Sequence, residues 1–306
     1  ALVGSPYPDT DVWSYNGEAP GPEIRLHQGE RLRVVVQNHL TEATTIHWHG
    51  VRVPNAMDGV PDLTQKPIKP GESFVYEFEV PDAGTYWYHP HEYSIEQVGR
   101  GLAGPLIIEE REPPTVDRDV TWVLGDWRLK RDASIDADFG NRMEMAMAGR
   151  IGNTVTVNGR LPDSFRVRAG ERLRLRLINA APARLFGLVF KGHQPLIVAL
   201  DGQPVEPHAP EKGRVVLGPA MRADVIVDMV GRPNDRFAVV DDFYRDLEYT
   251  LVDLAYADEK PLRDQPLPPP KLLPANTMPE PDVDQAEQHE VRLEGGMMSG
   301  RGTGMG

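Results

Sequence analysis

The sequence contains no cysteine, so disulfide bonds, thiolate metal sites and cysteine nucleophiles are all excluded. This absence does not reveal the compartment, because exported proteins can also lack cysteine. No apolar run approaches the roughly 18–20 residues that a membrane-spanning helix requires. Positive charge is scarce as well, since the 306 residues carry a net charge of −13. We therefore expect neither nucleic acid nor an anionic membrane as a partner, and we expect tolerance of cationic ligands such as metal ions.

Turn-forming residues, in contrast, are abundant. Glycine and proline number 29 each, which favours an all-β protein of many short strands over a helical one. Apolar and polar residues alternate over residues 32–36 and 74–80, as they do in half-buried strands. Met143, Met145 and Met147 alternate in the same way, which favours a packed strand there too.

Two short aromatic segments each carry a His-x-His motif, and together they hold four of the nine histidines. The first segment places His47 and His49 around a tryptophan, and the second places His89 and His91 around a proline. Because side chains alternate faces in a strand, the members of each pair point the same way, about 6.5–7 Å apart along the chain. Two such strands side by side bring four imidazoles into one small volume. The pattern predicts a metal site, with copper as the favoured ion and zinc as the alternative.

The second half of the sequence repeats the first. Residues 24–38 align without a gap on residues 165–179, and the offset of 141 residues has the size of a domain. The length of the chain also suits two ordinary domains with sizeable cores. We therefore predict two copies of one β-barrel or β-sandwich fold, the first over residues 1–112 and the second over residues 113–258.

The repeat also bears on the purpose of the histidines. At the same offset, His47 and His49 fall on Leu188 and Phe190. The second copy thus has apolar residues where the first has candidate ligands. Since a domain of this kind folds without these histidines, we expect the first copy to carry them for chemistry.

The chain changes character in its last part. Residues 261–281 are dense in proline, which is typical of an extended linker. Residues 290–293 have the composition of one short strand, and residues 295–306 are rich in glycine and methionine. We interpret residues 259–306 as a proline-rich linker and tail that lead to a further domain outside this sequence.

Several motifs resemble those of the multicopper oxidases, a family that includes laccases, bilirubin oxidases and bacterial copper efflux oxidases. They are the two His-x-His segments, the loop of residues 53–61, the stretch 97–105 and, in the second copy, residues 156–159 and 201–204. The resemblance covers nearly the whole chain. It implies an all-β fold of two tandem cupredoxin-like Greek-key domains, each a β-barrel or sandwich.

The resemblance also implies a role for each candidate residue. It assigns His47 to the type 2 copper, and His49, His89 and His91 to the type 3 copper pair. Asp58 matches an acidic residue that assists proton delivery as dioxygen becomes water. The implied partners are dioxygen and a small reducing substrate, which is a phenol, an amine or a metal ion. The implied location is periplasmic or extracellular.

The sequence departs from the family pattern in one major respect. Without cysteine it cannot form the type 1 copper site, and four histidines are half of the eight that hold the family's three-copper cluster. We therefore expect copper at type 2 and type 3 positions only, and no activity from this chain alone. The missing third domain would come from the same gene or from a separate chain.

Two other hypotheses remain open. One is a copper-binding or carrier module without turnover, which would use the four histidines alone. The other is a β-sandwich interaction protein with a vestigial metal site. The start at Ala1 fits either removal of a targeting segment or an arbitrary start of the sequence.

Overall fold

The computed structural model describes residues 7–263, 265–278 and 281–292, and the regular structure of these residues is almost entirely β-strand. The strands of the first unit are β1 (Ile24–His27), β2 (Arg31–Gln37), β3 (His47–His49), β4 (Ser73–Glu79), β5 (Gly84–His89) and β6 (Gly104–Glu109). Those of the second unit are β7 (Arg118–Trp127), β8 (Thr154–Val157), β9 (Ser164–Val167), β10 (Arg172–Asn179), β11 (Phe186–Phe190), β12 (Leu196–Leu200), β13 (Gln203–His208), β14 (Val215–Leu217), β15 (Arg222–Asp228), β16 (Arg236–Asp241) and β17 (Tyr249–Tyr256).

The helices are few and short. They are α1 (Ser94–Gly99), α2 (Arg142–Met145) and the three 3-10 turns Asn55–Met57, Glu211–Gly213 and Val283–Gln285. None of the described helices has the length and apolar character needed to cross a membrane. The prediction of an all-β fold in two units is confirmed.

Two sheets enclose the core of the first unit. One has the strand order β1-β6-β5-β3, and the other consists of β2 and β4. The alternating pattern places Leu32, Tyr76 and Phe78 inside, where each is at most 5% exposed, while Arg31 lies outside. The ring of Trp48 packs edge-on against Tyr76 and Phe78 at centroid distances of 5.5 and 5.3 Å. This aromatic group closes the centre of the first unit.

The second unit is larger and has a continuous apolar core. Its sheets have the orders β13-β12-β15-β10-β7-β8 and β14-β11-β16-β17-β9. Leu188 and Phe190 of β11, which occupy the positions of His47 and His49 in the repeat, are 0% and 3% exposed within this core. Hydrophobic packing thus replaces the histidine pair in the second unit.

The internal repeat is present in the strand pairing. β1 runs parallel to β6 as β9 does to β17, and β2 pairs antiparallel with β4 as β10 does with β15. One side chain repeats its role in detail. Asn38 donates two hydrogen bonds to backbone carbonyls and accepts one from the amide two residues later, and Asn179 does the same. A buried asparagine therefore fixes the end of the same strand in both units.

A buried ionic cluster joins the two units. Arg174 of β10 lies 2.6 Å from both Glu110 and Asp224, and Arg176 lies 3.3 Å from Asp224. Thr85 of β5 donates a hydrogen bond of 2.6 Å to the same Asp224 carboxylate. Burial alone would raise the pKa of Asp224, but Arg174 and Arg176 hold that pKa below its ordinary value. The cluster thus places Thr85 and Glu110 of the first unit in direct contact with β10 and β15 of the second, and removing one partner would leave a buried charge uncompensated.

The proline-rich segment contains no strand or α-helix among its described residues, as an extended linker predicts, but it is packed against the protein. The side chain of Leu273 is 3% exposed, and the carbonyl of Pro268 accepts a 2.7 Å hydrogen bond from Arg172. Asn276 then exchanges two hydrogen bonds of 2.9 Å with the backbone of Ala83 in the first unit. The segment thus crosses from the second unit to the start of β5.

The strand predicted from the alternating methionines is wrong. α2 (Arg142–Met145) occupies this position, because the side chain of Asn141 caps the first turn by accepting from the amides of Met143 and Glu144. Met143 and Met147 are 63% and 75% exposed, so they do not fill a core. A spacing of two residues on a short exposed helix mimics strand alternation.

The short strand predicted near the end of the chain is not observed for residues 290–292, which have no regular structure. Among the described residues no strand pairs with them, and a β-prone segment does not form a strand without a partner. The predictions for Leu293 and for the Gly/Met tail of residues 295–306 lie outside the described residues.

Replacing Arg174 by methionine should destabilise the protein strongly. The substitution leaves Asp224 and Glu110 buried with only part of their compensating charge, and such losses cost about 3–5 kcal/mol. Urea denaturation measures the free energy of unfolding. The matched control is Arg236→Met, because the Arg236–Asp253 pair is exposed and should contribute little. Equal stability of the two variants would contradict the assigned role of the cluster.

Candidate metal centre

The pairing of β3 with β5 brings the two His-x-His segments together. The strands are antiparallel, with His47 directly opposite His89 and His49 opposite Trp87. Alternation along each strand turns these side chains to one face, away from the core that Trp48 occupies. His91 follows the end of β5, and its backbone amide donates to the Thr45 hydroxyl at 3.1 Å.

The ring of His47 neighbours the rings of the other three histidines. The ring centroid of His47 lies 5.5 Å from that of His49, 5.3 Å from that of His89 and 4.5 Å from that of His91. One ring nitrogen from each of His47, His49 and His89 lies within 4.8 Å of the others, which is compatible with binding a single ion. His91 is outside this group of three and is exposed, but its ring is 5.5 Å from that of His89.

Backbone carbonyls fix the orientation of two of the rings. Nδ1 of His47 lies 2.8 Å from the carbonyl oxygen of Asp58, and Nδ1 of His89 lies 3.0 Å from that of Pro90. Because a carbonyl oxygen only accepts, each ring donates from Nδ1 and keeps the lone pair of its neutral form on Nε2. Nδ1 of His49 lies 3.2 Å from Nε2 of His89. The Nε2 lone pair of His89 therefore points toward the neighbouring ring of His49, inside the group of three residues whose nitrogens converge.

The surroundings also lower the pKa of three of the rings. Burial, reinforced by the guanidinium of Arg222, lowers the pKa of His49 to about 3. Burial holds the pKa of His89 well below its ordinary value. The ring of His91 is only partly desolvated, and this together with the neighbouring His47 lowers its pKa. A metal ion binds the neutral form of imidazole, so these shifts favour metal binding over protonation.

The loop that carries Asp58 lies against β3. The carboxylate of Asp58 is 34% exposed, and one of its oxygens lies 3.3 Å from Nδ1 of His47. The next residue, Gly59, has φ +79° and lies so close to β3 that an added Cβ would be 1.9 Å from the carbonyl oxygen of Ile46. A glycine is therefore required here for the loop to approach His47.

Trp87 and Arg222 also adjoin the histidine cluster. The ring of Trp87 stacks on that of His89 at 4.1 Å, as its place two residues earlier on β5 allows. Trp48 lies between His47 and His49 in the sequence, but alternation turns it to the opposite face of the strand, into the core, where it is 1% exposed. The influence of Arg222 on His49 could not be predicted from the sequence, because Arg222 comes from the second unit and no local motif marks it.

The donor set fits a copper or zinc ion. Three or four imidazoles on one face, two of them oriented by carbonyl hydrogen bonds, are what such ions require of a protein. No cysteine is available to add a thiolate. The assignment of His47, His49, His89 and His91 as ligands, and of Asp58 as a catalytic residue, stays a prediction.

Comparison with known proteins agrees with this fold and donor set. Residues 4–113 and residues 118–257 each match a family model described as multicopper oxidase. The fold and the two matches define a protein built from cupredoxin-type domains. The chain belongs to the multicopper oxidase family.

Individual relatives include the multicopper oxidase MmcO of Mycobacterium tuberculosis, which is 32% identical over 252 residues, covering 73% of this chain and 49% of the relative. Copper resistance protein A of Pseudomonas syringae pv. tomato is 35% identical over 268 residues, covering 73% of this chain and 43% of the relative. The chain thus spans about half the length of the curated relatives it matches. The crystal structure of a multi-copper oxidase from Pseudomonas thermotolerans has a TM-score of 0.82 at 39% identity, covering 90% of this chain and 65% of that one.

Replacing Gly59 by alanine should weaken copper binding. The added methyl group collides with the Ile46 carbonyl, so the loop must move away and withdraw the carbonyl that orients His47. Loss of such an orienting contact typically lowers metal affinity about 10–100-fold. Calorimetric titration with copper(II) measures the change.

Gly71→Ala is the matched control for this variant. Gly71 has φ +80°, but an added Cβ would meet nothing within 4 Å. Both variants therefore carry the same backbone strain, and only one carries the collision. If the two titrations coincide, the loop does not orient His47.

Proposed function

We propose that this chain provides one wall of a copper centre in an oxidase that couples one-electron oxidation of a phenol, an amine or a metal ion to reduction of dioxygen to water. The observation that carries the proposal is the convergence of ring nitrogens from His47, His49 and His89 within 4.8 Å, with His91 beside them. Membership of the multicopper oxidase family supports the reaction class.

The proposed ligand roles follow the family resemblance. His47 would bind the type 2 copper, and His49, His89 and His91 would bind the type 3 pair. Copper bound there supplies one-electron redox chemistry and a site for dioxygen. The chain itself orients the rings of His47 and His89, and it places the half-buried carboxylate of Asp58 3.3 Å from Nδ1 of His47, where it can hold or pass a proton.

The remaining ligands would come from polypeptide outside this sequence. The 306 residues contain no cysteine, so a type 1 site, and with it electron entry from the reducing substrate, must be supplied elsewhere. We accordingly propose that residues 1–112 form the copper-binding domain and that residues 113–258 form a metal-free domain. Residues 259–306 would lead toward the polypeptide that supplies the remaining ligands. A periplasmic or extracellular location is part of this proposal.

A carrier role is the second candidate. Four imidazoles without a thiolate are sufficient to hold a copper ion without any turnover. This chain contains the four imidazoles and no cysteine. The intact mass of the natural protein, measured beside its full gene sequence, separates the two candidates. A longer product with a His-Cys-His segment supports the oxidase, whereas a product that ends at Gly306 supports the carrier.

The isolated chain should bind copper(II) through its histidines. His47→Ala and His89→Ala should each lower the affinity by roughly 100-fold or more, because loss of a ligand exceeds loss of an orienting contact. His208→Ala, at an exposed histidine of β13 far along the chain, should bind like the parent. Calorimetry gives the affinity, and electron paramagnetic resonance shows the nitrogen ligands. Unchanged binding in both site variants would refute the ligand assignment.

A further inference from the structure

Arg222, at the start of β15, is a buried cation of the second unit that lies against the first unit. Its side chain is 4% exposed. Nε donates to the backbone carbonyl of Thr85 on β5 at 3.1 Å, and Nη1 donates at 3.1 Å to both the Asp201 carboxylate and the Ala220 carbonyl. Nη2 donates to the carbonyl of Asp201 at 2.9 Å. These four hydrogen bonds fix the guanidinium at the boundary between the units.

The guanidinium lies beside Gly50, the residue that follows His49. A Cβ added to Gly50 would collide with Nη2 of Arg222 and would lie 3.2 Å from its Cζ. Gly50 also has φ +86°, so glycine allows both the turn after β3 and the close approach of the cation. Consecutive Cα atoms are about 3.8 Å apart. The charge is therefore held about one residue away from the backbone of a candidate ligand.

The charge of Arg222 is only partly compensated. Within the part of the chain that the structure describes, Asp201 supplies the one carboxylate in ion-pair distance, at 3.1 Å, and its side chain is 49% exposed. Arg174 differs, because it lies 2.6 Å from both Glu110 and Asp224, whose side chains are 4% and 1% exposed. Water screens an exposed carboxylate far more than a buried guanidinium, so Arg222 leaves a net positive potential around it.

The pKa values of the two arginines agree with this contrast. Although burial opposes it, Asp224 and Glu110 raise the pKa of Arg174. Burial lowers the pKa of Arg222, and Asp201 does not offset this effect. A guanidinium nevertheless keeps its proton at physiological pH. Its potential reaches the histidine cluster, because burial first and Arg222 second lower the pKa of His49.

We propose that Arg222 is a positioning residue whose fixed charge makes the histidine cluster favour copper(I) over copper(II) and over other divalent ions. The proposal rests on the proposed function, since it requires copper at His49. A cation repels copper(I) less than copper(II), because copper(I) carries one positive charge fewer. Each copper(II) ion becomes copper(I) by taking one electron, which the reducing substrate of the proposed reaction supplies.

The size of the effect follows from Coulomb's law. A unit charge about 10 Å away, at an effective dielectric constant near 20, changes the ratio of copper(I) to copper(II) affinity by roughly tenfold. For a one-electron couple, a tenfold change in this ratio corresponds to about 59 mV in reduction potential. Arg222 should therefore make the bound copper easier to reduce.

A purely structural role for Arg222 predicts the opposite sign. If Arg222 only tied Thr85 to Asp201, its loss would loosen the cluster and weaken the binding of every ion. Loss of a repelling charge instead strengthens binding, and it does so more for divalent ions than for copper(I). The direction of the change thus separates the two roles.

Arg222→Gln in the 306-residue chain tests the proposal. Competition with chromophoric chelators gives the affinities for copper(II) and zinc(II) and, without oxygen, for copper(I). The divalent ions should bind roughly 100-fold tighter and copper(I) roughly tenfold tighter, because the repulsion scales with the charge of the ion. The ratio of copper(I) to copper(II) affinity should fall about tenfold.

Asp201→Asn should change the ratio in the other direction. Oδ1 of the asparagine still accepts from the backbone amide and from Nη1 of Arg222, but the compensating charge is lost. The ratio should rise by about twofold to threefold, since the exposed carboxylate is already screened by water. The matched control is Arg236→Gln, which removes the exposed charge of the Arg236–Asp253 pair and should leave the ratio unchanged. Thermal melting shows whether each variant is folded.

The proposal is overturned if folded Arg222→Gln binds all three ions more weakly, if its ratio is unchanged, or if Arg236→Gln changes the ratio equally. If Arg222→Gln does not fold, Asp201→Asn decides alone, and an unchanged or lowered ratio overturns the proposal. Failure of the proposed function is a separate result. In that case the unsubstituted chain binds no copper, or His89→Ala binds copper as tightly as the parent.

Discussion

The antiparallel pairing of β3 with β5 sets His47 opposite His89, and the arrangement of the histidine cluster depends on that register. A slip of one residue would turn each His-x-His pair toward the core and bring Trp48 to the surface. Two contacts fix this register. On the core face Trp48 packs against Tyr76 of β4, and within the sheet β6 pairs with the other edge of β5. The apolar core and the metal-binding face are thus two sides of the same strands, and neither can shift alone.

The second unit supports this pair of strands without contributing a histidine to the cluster. Arg222, which is 4% exposed, donates to the backbone carbonyl of Thr85 on β5 and to Asp201 in its own unit. The hydroxyl of Thr85 is bonded to Asp224, the centre of the buried ionic cluster. Strand β5 therefore carries the candidate ligand His89 at its end and, through Thr85, a buried contact between the two units at its start. The charge of Arg222 also reaches the cluster, where it helps to keep His49 neutral.

Much of this could be predicted from the sequence, because alternation and repetition are local signals. The strands around Leu32 and Tyr76, the facing histidine pairs and the loss of histidines in the second unit all follow from spacing. What escaped prediction depends on distant partners. Arg222 has no motif, and the alternation around Met143 gave way to a capped helix turn. Trp48 belongs to the core because of the side of the strand it faces, not because of its neighbours in sequence.

Leu188 and Phe190 give the second unit a core that is complete without any ligand. The first unit instead directs four imidazoles into a shared space, and any ion bound there adds to its stability by mass action. The two units therefore differ in what stabilises their folded state. A metal ion bound to the first unit would raise that unit's resistance to unfolding directly, and it would affect the second unit only through contacts such as those that Thr85 makes with Asp224 and Arg222. Scarcity of metal would therefore act first on the first unit.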